Sequence, residues 1–149
     1  MYLLVDIDHT VSDAAWRDHM IEAKDWDRYH YMAQFDFPIM EVVRLVKDLQ
    51  AAGWIIIGFT MRPAKWRDMT VSWLLRRCGL VFDELLMREA NVWEPSVEGK
   101  CNLLEARFKC LNQDNEPIIL LDDHPEVCAA LMKRNITVFQ VHARKGVHR

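Results

Sequence analysis

Two aspartates, Asp6 and Asp8, stand two residues apart where the apolar run YLLVDI (2–7) passes into DIDHT (6–10). A second acidic pair, Asp122 and Asp123, closes the run IILL (118–121). If these runs are strands, the four carboxylates and Thr60, which follows WIIIGF (54–59), lie at strand ends along one edge of a sheet. Carboxylates converging in this way raise one another's pKa and repel unless a cation stands between them. The donors are all oxygens, and no His or Cys set has ligand spacing, so a hard ion such as Mg²⁺ or Ca²⁺ suits the cluster and zinc does not. Mg²⁺ held by few carboxylates fills its other positions with water and substrate phosphate, which points to phosphate chemistry. Lys100 opens a predicted helix, where its charge opposes the macrodipole by about 0.3–1 kcal/mol. Helix stability therefore does not explain it; beside the acidic cluster it would neutralise a carboxylate nucleophile or a phosphoryl oxygen.

Groups so far apart in sequence need a scaffold that gathers strand ends. Strand-length apolar runs at 2–7, 54–59, 85–87, 118–121 and 136–141 alternate with amphipathic stretches. Ile39, Val42, Val43, Val46 and Leu49 share a helical face after Pro38, and Gly53 stands where a left-handed cap would end that helix. Residues 63–78 carry Trp66, Met69, Trp73 and Leu74 on one side and stop at Gly79. Further helices are predicted from about 98 to 111 and from Pro125 to about Arg134, with Asn135 as a cap. Strands apolar on both faces and separated by helices predict an α/β fold, a Rossmann-like, doubly wound parallel sheet of about five strands in a single domain over 1–149. Residues 11–37 break the rhythm: Trp16, Trp26, Tyr29, Tyr31, Phe35 and Phe37 are crowded among Arg17, Lys24, Arg28 and several acidic residues. They predict a small helical cap insertion over the crevice at the carboxyl ends of the strands. Its aromatics read as a mini-core before they read as base-stacking platforms.

DIDHT (6–10), IIIGFTMRP (55–63), Lys100 and IILLDD (118–123) resemble, in order and over nearly the whole chain, the four motifs of the haloacid dehalogenase superfamily of phosphatases. More narrowly, FTMRPAKWRDMTVSWLLRRCG (59–79), FDELLMR (82–88) and PSVEGK (95–100) resemble the 3′-phosphatase domain of phage-type polynucleotide kinases and its stand-alone phage relatives. The resemblance implies that Asp6 is the nucleophile, that Asp8 is general acid and then base, and that the Asp8 backbone carbonyl helps to hold Mg²⁺. It further implies that Thr60 and Lys100 hold the transferring phosphoryl group and that Asp122 and Asp123 complete the metal site, one directly and one through water. His9, Arg62, Lys65, Arg67, Arg88 and His124 are the candidate substrate-binding residues. The chain departs from the pattern at His9, where glycine is common, at Val92 and Glu94, where aspartate and arginine are common, and at His124, where arginine is common. Two cationic positions are thereby lost or made pH-dependent, which shifts the expected substrate toward a small one.

The implied activity is that of an Mg²⁺-dependent phosphomonoesterase acting on a nucleic-acid 3′-phosphate end or a nucleoside monophosphate. The alternative is a weakly active or non-catalytic module that binds the same ligands. A phosphate-accepting receiver domain is disfavoured, because LLMRE (85–89) offers no aspartate after the third strand. No GxxxxGK[ST] element occurs in the sequence, so it carries no kinase P-loop. A net charge of −3 argues against binding extended duplex, and no run approaches the length of a membrane helix. The first strand follows Met1 too closely for a signal peptide, and Cys78, Cys101, Cys110 and Cys128 have neither CxxC nor zinc spacing. Free thiols and a cytoplasmic location are therefore expected, host cytoplasm if the chain is phage-encoded.

Overall fold

A computed structural model of the chain describes residues 1–89, 91–109 and 116–144. In chain order it contains β1 (Tyr2–Val5), β2 (Ser12–Asp13), α1 (His19–Glu22), α2 (Trp26–Met32), β3 (Phe37–Pro38), α3 (Met40–Ala51), β4 (Ile55–Pro63), α4 (Arg67–Trp73), β5 (Glu84–Arg88), α5 (Ser96–Arg107), β6 (Ile118–Asp122), α6 (Pro125–Met132) and β7 (Thr137–Gln140). Five of these strands form a parallel sheet in the order β5-β4-β1-β6-β7. The period of two in the strands explains the two cores. Leu3, Val5, Ile56 and Leu121 pack with Val43 and Val46 of α3 and Trp73 of α4, whereas Leu4, Ile57 and Leu120 pack with Leu104 of α5 and Val127 and Leu131 of α6.

From β1 the chain builds outward to β4 and β5, then returns to the other side of β1 for β6 and β7. The order reverses between β1 and β6, so a crevice opens at their carboxyl ends, the usual ligand site of such sheets. Helices end where left-handed backbone was expected, at Gly53 (φ 95°), Gly79 (φ 64°) and Asn135 (φ 61°). The helix predicted over 63–78 is composite, with α4 between a 3₁₀ turn at Ala64–Trp66 and a π turn at Leu74–Cys78. Helix α5 starts two residues before the predicted position and ends at Arg107; Cys110 and Leu111 lie outside the described residues.

The insertion is the expected cap, with one addition. Besides α1, α2 and two 3₁₀ turns, it has a neck in which β2 and β3 pair antiparallel, Ser12 opposite Pro38 and Asp13 opposite Phe37. Cys78, Cys101 and Cys128 are free and buried among apolar side chains. No helix among the described residues is long and apolar enough to cross a membrane.

Candidate active site

Asp6 follows β1 directly, and its N–H donates to the Leu121 carbonyl at 3.0 Å, which ties the nucleophile candidate to the neighbouring strand β6. The carboxylate accepts the Thr10 hydroxyl at 3.1 Å and the Lys100 ammonium at 2.7 Å; the same ammonium also donates to Asp122. Lys100 reaches this point from α5, which packs on β4, and its ammonium lies 5.5 Å from the ring centroid of Phe59 on that strand. The lysine lies in the second turn of α5, deeper than predicted, and is buried. Oxygens of Asp6, Asp122 and Asp123 lie within 4.8 Å of one another. Burial pushes the Asp6 carboxyl well up, Lys100 opposes this, and Asp122 and Asp123 add to it; burial and Asp122 likewise raise Asp123. Burial alone would lower the Lys100 ammonium, but Asp6 and Asp122 override it and hold the proton on. Three carboxylates against one ammonium make an all-oxygen site with excess negative charge, which fits a hard divalent ion.

Asp8 departs from expectation. Its carboxylate is not in the acidic cluster but in a clamp of two arginines, so three carboxylates converge rather than four. Arg62 donates through Nε at 3.0 Å and Nη2 at 2.7 Å, and Arg17 donates from the cap through Nη2. Burial would raise the Asp8 carboxyl; Arg62 and then Arg17 reverse this and hold it well below the usual carboxylate range. The Asp8 side chain is thus not among the carboxylates that could hold a metal ion. Arg17 and Asp36, both fully buried, were not foreseen as a pair. Arg17 donates to Asp36 at 2.9 Å and 2.7 Å and to the Tyr29 carbonyl at 3.1 Å, and its guanidinium lies 4.2 Å from the Tyr29 ring centroid.

A cleft of about 650 Å³ spans the cluster, the Asp8 clamp and the inner face of the cap. Thr60 lines it, its hydroxyl accepting the Arg62 N–H at 3.2 Å. Arg62 also lines it, yet its side-chain donors are engaged by Asp8 and Thr70, so it positions Asp8 instead of standing free for substrate. His9 sits at the mouth, its ring 3.0 Å from Asp18, with φ 64°, a left-handed conformation that glycine adopts without cost. That geometry accounts for glycine being common there. Lys65 pairs with Asp27 of the cap at 2.7 Å, Arg88 donates to the carbonyls of Met61 and Val92, and His124 caps α6 by accepting the Val127 N–H at 3.4 Å. Arg67 lies outside the cleft: as the first residue of α4 it points back toward β5 and donates to the Leu85 carbonyl at 2.9 Å. Glu94 and Trp93 line the wall, and so does His30, whose imidazole burial lowers to about 4, with Arg62 and Arg17 contributing. The mini-core reading holds for the buried Tyr29 but not for Trp26, Tyr31, Phe35 and Phe37, which are 41–52% exposed.

Residues 1–145 match the family described as the polynucleotide kinase PNKP phosphatase domain. The chain belongs to that family. Among solved structures, a chain of the Pnkp1/Rnl/Hen1 RNA repair complex superposes with a TM-score of 0.76 at 23% identity, covering 94% of this chain and 42% of that one. The present chain thus spans less than half the length of that RNA-repair relative. A predicted phosphatase from Clostridium acetobutylicum (TM-score 0.65, 15% identity, covering 93% and 83% of the two chains) shares the fold. So does the haloacid dehalogenase-like hydrolase SP0104 from Streptococcus pneumoniae (0.66, 11%, 93% and 83%). No curated protein matches by sequence. The chain is a phosphatase domain of the haloacid dehalogenase-like class.

Proposed function

We propose that this domain is an Mg²⁺-dependent phosphomonoesterase that works through an aspartyl phosphate on Asp6, on nucleotide-type phosphates: a nucleic-acid 3′-phosphate end or a nucleoside monophosphate. The observation that carries the proposal is the separation of the two aspartates. Asp6 lies in a three-carboxylate cluster with Lys100, and Asp8 is held beside it, outside that cluster, by Arg62 and Arg17. Mg²⁺ bound by Asp6, Asp122, Asp123 and the Asp8 carbonyl would offset charge on Asp6 and on the phosphoryl oxygens. An Asp6 oxygen bonds to phosphorus as the bond to the leaving oxygen breaks, and that oxygen takes a proton from Asp8. Lys100 and the Thr60 hydroxyl hold the transferring phosphoryl group. Water then bonds to phosphorus, Asp8 takes its proton, and the phosphorus–Asp6 bond breaks to give phosphate and the free carboxylate. The arginine clamp keeps Asp8 ionised, the form needed as base, so protonating the leaving group is the harder duty.

A cytoplasmic setting is consistent with the buried free thiols. Binding without turnover is the second reading, favoured by the anionic Glu94 on the cleft wall. Hydrolysis of 4-nitrophenyl phosphate decides between them. The proposal requires activity that EDTA abolishes, Mg²⁺ restores and Asp6→Asn lowers by at least about 10³-fold in a folded protein. A folded, Mg²⁺-supplied protein without turnover is the outcome of the second reading.

A further inference from the structure

Resting on the phosphatase reading above, we infer that the cap carries a subsite for nucleotides adjoining the scissile phosphate, a groove formed by Arg28 and Tyr31 with Lys65 and Trp66 and suited to a single-stranded nucleic-acid end. In-line displacement puts the leaving group opposite Asp6, on the side of Asp8. That side is walled by the cap, where Ile21, Trp26 and His30 line the cleft. A second, shallower concavity of about 490 Å³ is lined by Asp27, Arg28, Tyr31, Lys65 and Trp66, and it shares Asp27 and Lys65 with the cleft. A chain leaving the cleft past the terminal nucleoside therefore runs onto this groove.

The chemistry of the groove is that of a nucleic-acid track. Tyr31 is 52% exposed and meets Trp66 edge-on at 6.4 Å, and the Lys65 ammonium stands 5.3 Å from the Trp66 ring centroid. Exposed ring faces beside cations stack unpaired bases and hold backbone phosphates, with little sequence preference. The Lys65–Asp27 pair is exposed on both sides and is weak and salt-screened, so a phosphate can displace Asp27 from it. Glu94 on the cleft wall repels a polyanion, whereas the groove sets two cations, Arg28 and Lys65, against one carboxylate, Asp27. Stacking on ring faces needs unpaired bases, which selects a single strand over a duplex.

The test compares kcat/KM for a 3′-phosphorylated tetranucleotide, a nucleoside 3′-monophosphate and 4-nitrophenyl phosphate, in the natural protein and in Arg28→Ala/Tyr31→Ala. Both positions are exposed, and a melting curve verifies folding. The natural protein is expected to prefer the tetranucleotide over the mononucleotide by about tenfold or more, and the double variant to lose most of that preference. Its tetranucleotide-to-aryl-phosphate ratio falls by a similar factor, and Arg28→Glu lowers the same ratio more steeply at low salt than at high salt. Equal ratios in the natural and variant proteins overturn the subsite and leave this face to a protein partner. If 4-nitrophenyl phosphate is not hydrolysed at all, it is the phosphatase reading that fails. Fluorescence anisotropy with a 5′-labelled 3′-phosphorylated tetranucleotide then decides the groove: a Kd about tenfold weaker in the double variant supports it, and an unchanged Kd overturns it.

Discussion

Arg17→Met should destabilise the domain severely while keeping its volume, because it leaves the buried Asp36 charge without its hydrogen-bonded cation, with Arg62 standing off at 4.0 Å. In the natural protein Asp36 is fully buried, and two N–H groups of Arg17 at 2.9 Å and 2.7 Å, with the Trp16 indole N–H at 2.8 Å, satisfy its carboxylate. Removing one partner of a buried ion pair costs about 3–5 kcal/mol, since the remaining charge keeps its desolvation penalty. At this chain length each kcal/mol shifts Tm by about 2–4 °C, so a fall of about 6–20 °C is expected by calorimetry or circular dichroism. Adding Asp36→Asn removes the stranded charge and keeps an oxygen for Trp16, so the double variant should recover at least about 2 kcal/mol of the loss. Asp8 would retain only the Arg62 half of its clamp, and below the new Tm the acidic limb of kcat should move up toward the ordinary carboxylate range. A Tm within 2 °C of the natural protein (well under the ~6 °C lower bound above), or a double variant no more stable than Arg17→Met, would refute the reasoning.

Without metal, the raised carboxyls of Asp6 and Asp123 bind more protons folded than unfolded, so stability falls as pH rises from the carboxylate range to neutral. Mg²⁺ at 100 times its Kd should therefore add about 2.7 kcal/mol near pH 7.5, or about 5–10 °C in Tm, and little near pH 4; a melt indifferent to Mg²⁺ at neutral pH counts against the shared site. His30 has the opposite slope: its folded pKa of about 4 lies below the ordinary 6.5, so its contribution is complete above that value and lost as pH falls toward 4. With Mg²⁺ present, His30→Phe should flatten that segment of the stability curve by about 3 kcal/mol, and an unchanged slope in urea titrations would count against a neutral buried imidazole. Glu94→Arg should strengthen binding of a 3′-phosphorylated oligonucleotide more than of a nucleoside monophosphate. The natural protein's oligonucleotide affinity should fall with salt at a log–log slope of about −1.4, two phosphates' worth, in filter-binding or anisotropy titrations.

The sheet was legible because its central strands β1, β4 and β6 are buried on both faces, so each appears as an unbroken apolar run bounded by turn residues. The acidic cluster was legible for a related reason: Asp6, Asp122 and Asp123 immediately follow or end central strands, where topology alone brings them together. Asp8 was misplaced because spacing of two puts side chains on one face only while the chain stays extended. β1 stops at Val5, and the Ile7 carbonyl accepts the N–H groups of Thr10, Val11 and Ser12 in a tight turn that aims Asp8 elsewhere. Arg17 and Asp36 left no signal, since the pair closes a 19-residue loop inside an irregular insertion and obeys neither strand nor helix spacing. Arg67 is close in sequence to Arg62 and Lys65, but the turn from 3₁₀ to α at Trp66 and Arg67 points it toward β5 and away from the cleft.

The ion network also determines what kind of cap this is. A lid that swings needs a hinge and a weak seam, whereas the two strands of this neck, β2 and β3, pair with each other. Asp36, next to the neck, is fastened four ways: its carboxylate to Arg17, to Trp16 and, at 4.0 Å, to Arg62 of β4, and its carbonyl to the Trp73 indole of α4 at 3.0 Å. Arg17 in turn reaches Asp8, so the cap supplies part of the charge that holds this carboxyl low, the group proposed as general base. Opening the cap as a rigid body would leave the Arg17–Asp36 pair intact but would pull Arg17 from Asp8 and the Asp36 carbonyl from the Trp73 indole, breaking one buried ion pair. In the proposed function, substrate would enter along the side of the cap, past the Lys65–Asp27 pair, which is exposed and easily broken. In the proposed mechanism the cap wall would exercise specificity and the sheet edge would carry the chemistry, and the two are joined through one carboxylate, Asp8, which the cap's Arg17 and the sheet's Arg62 both hold.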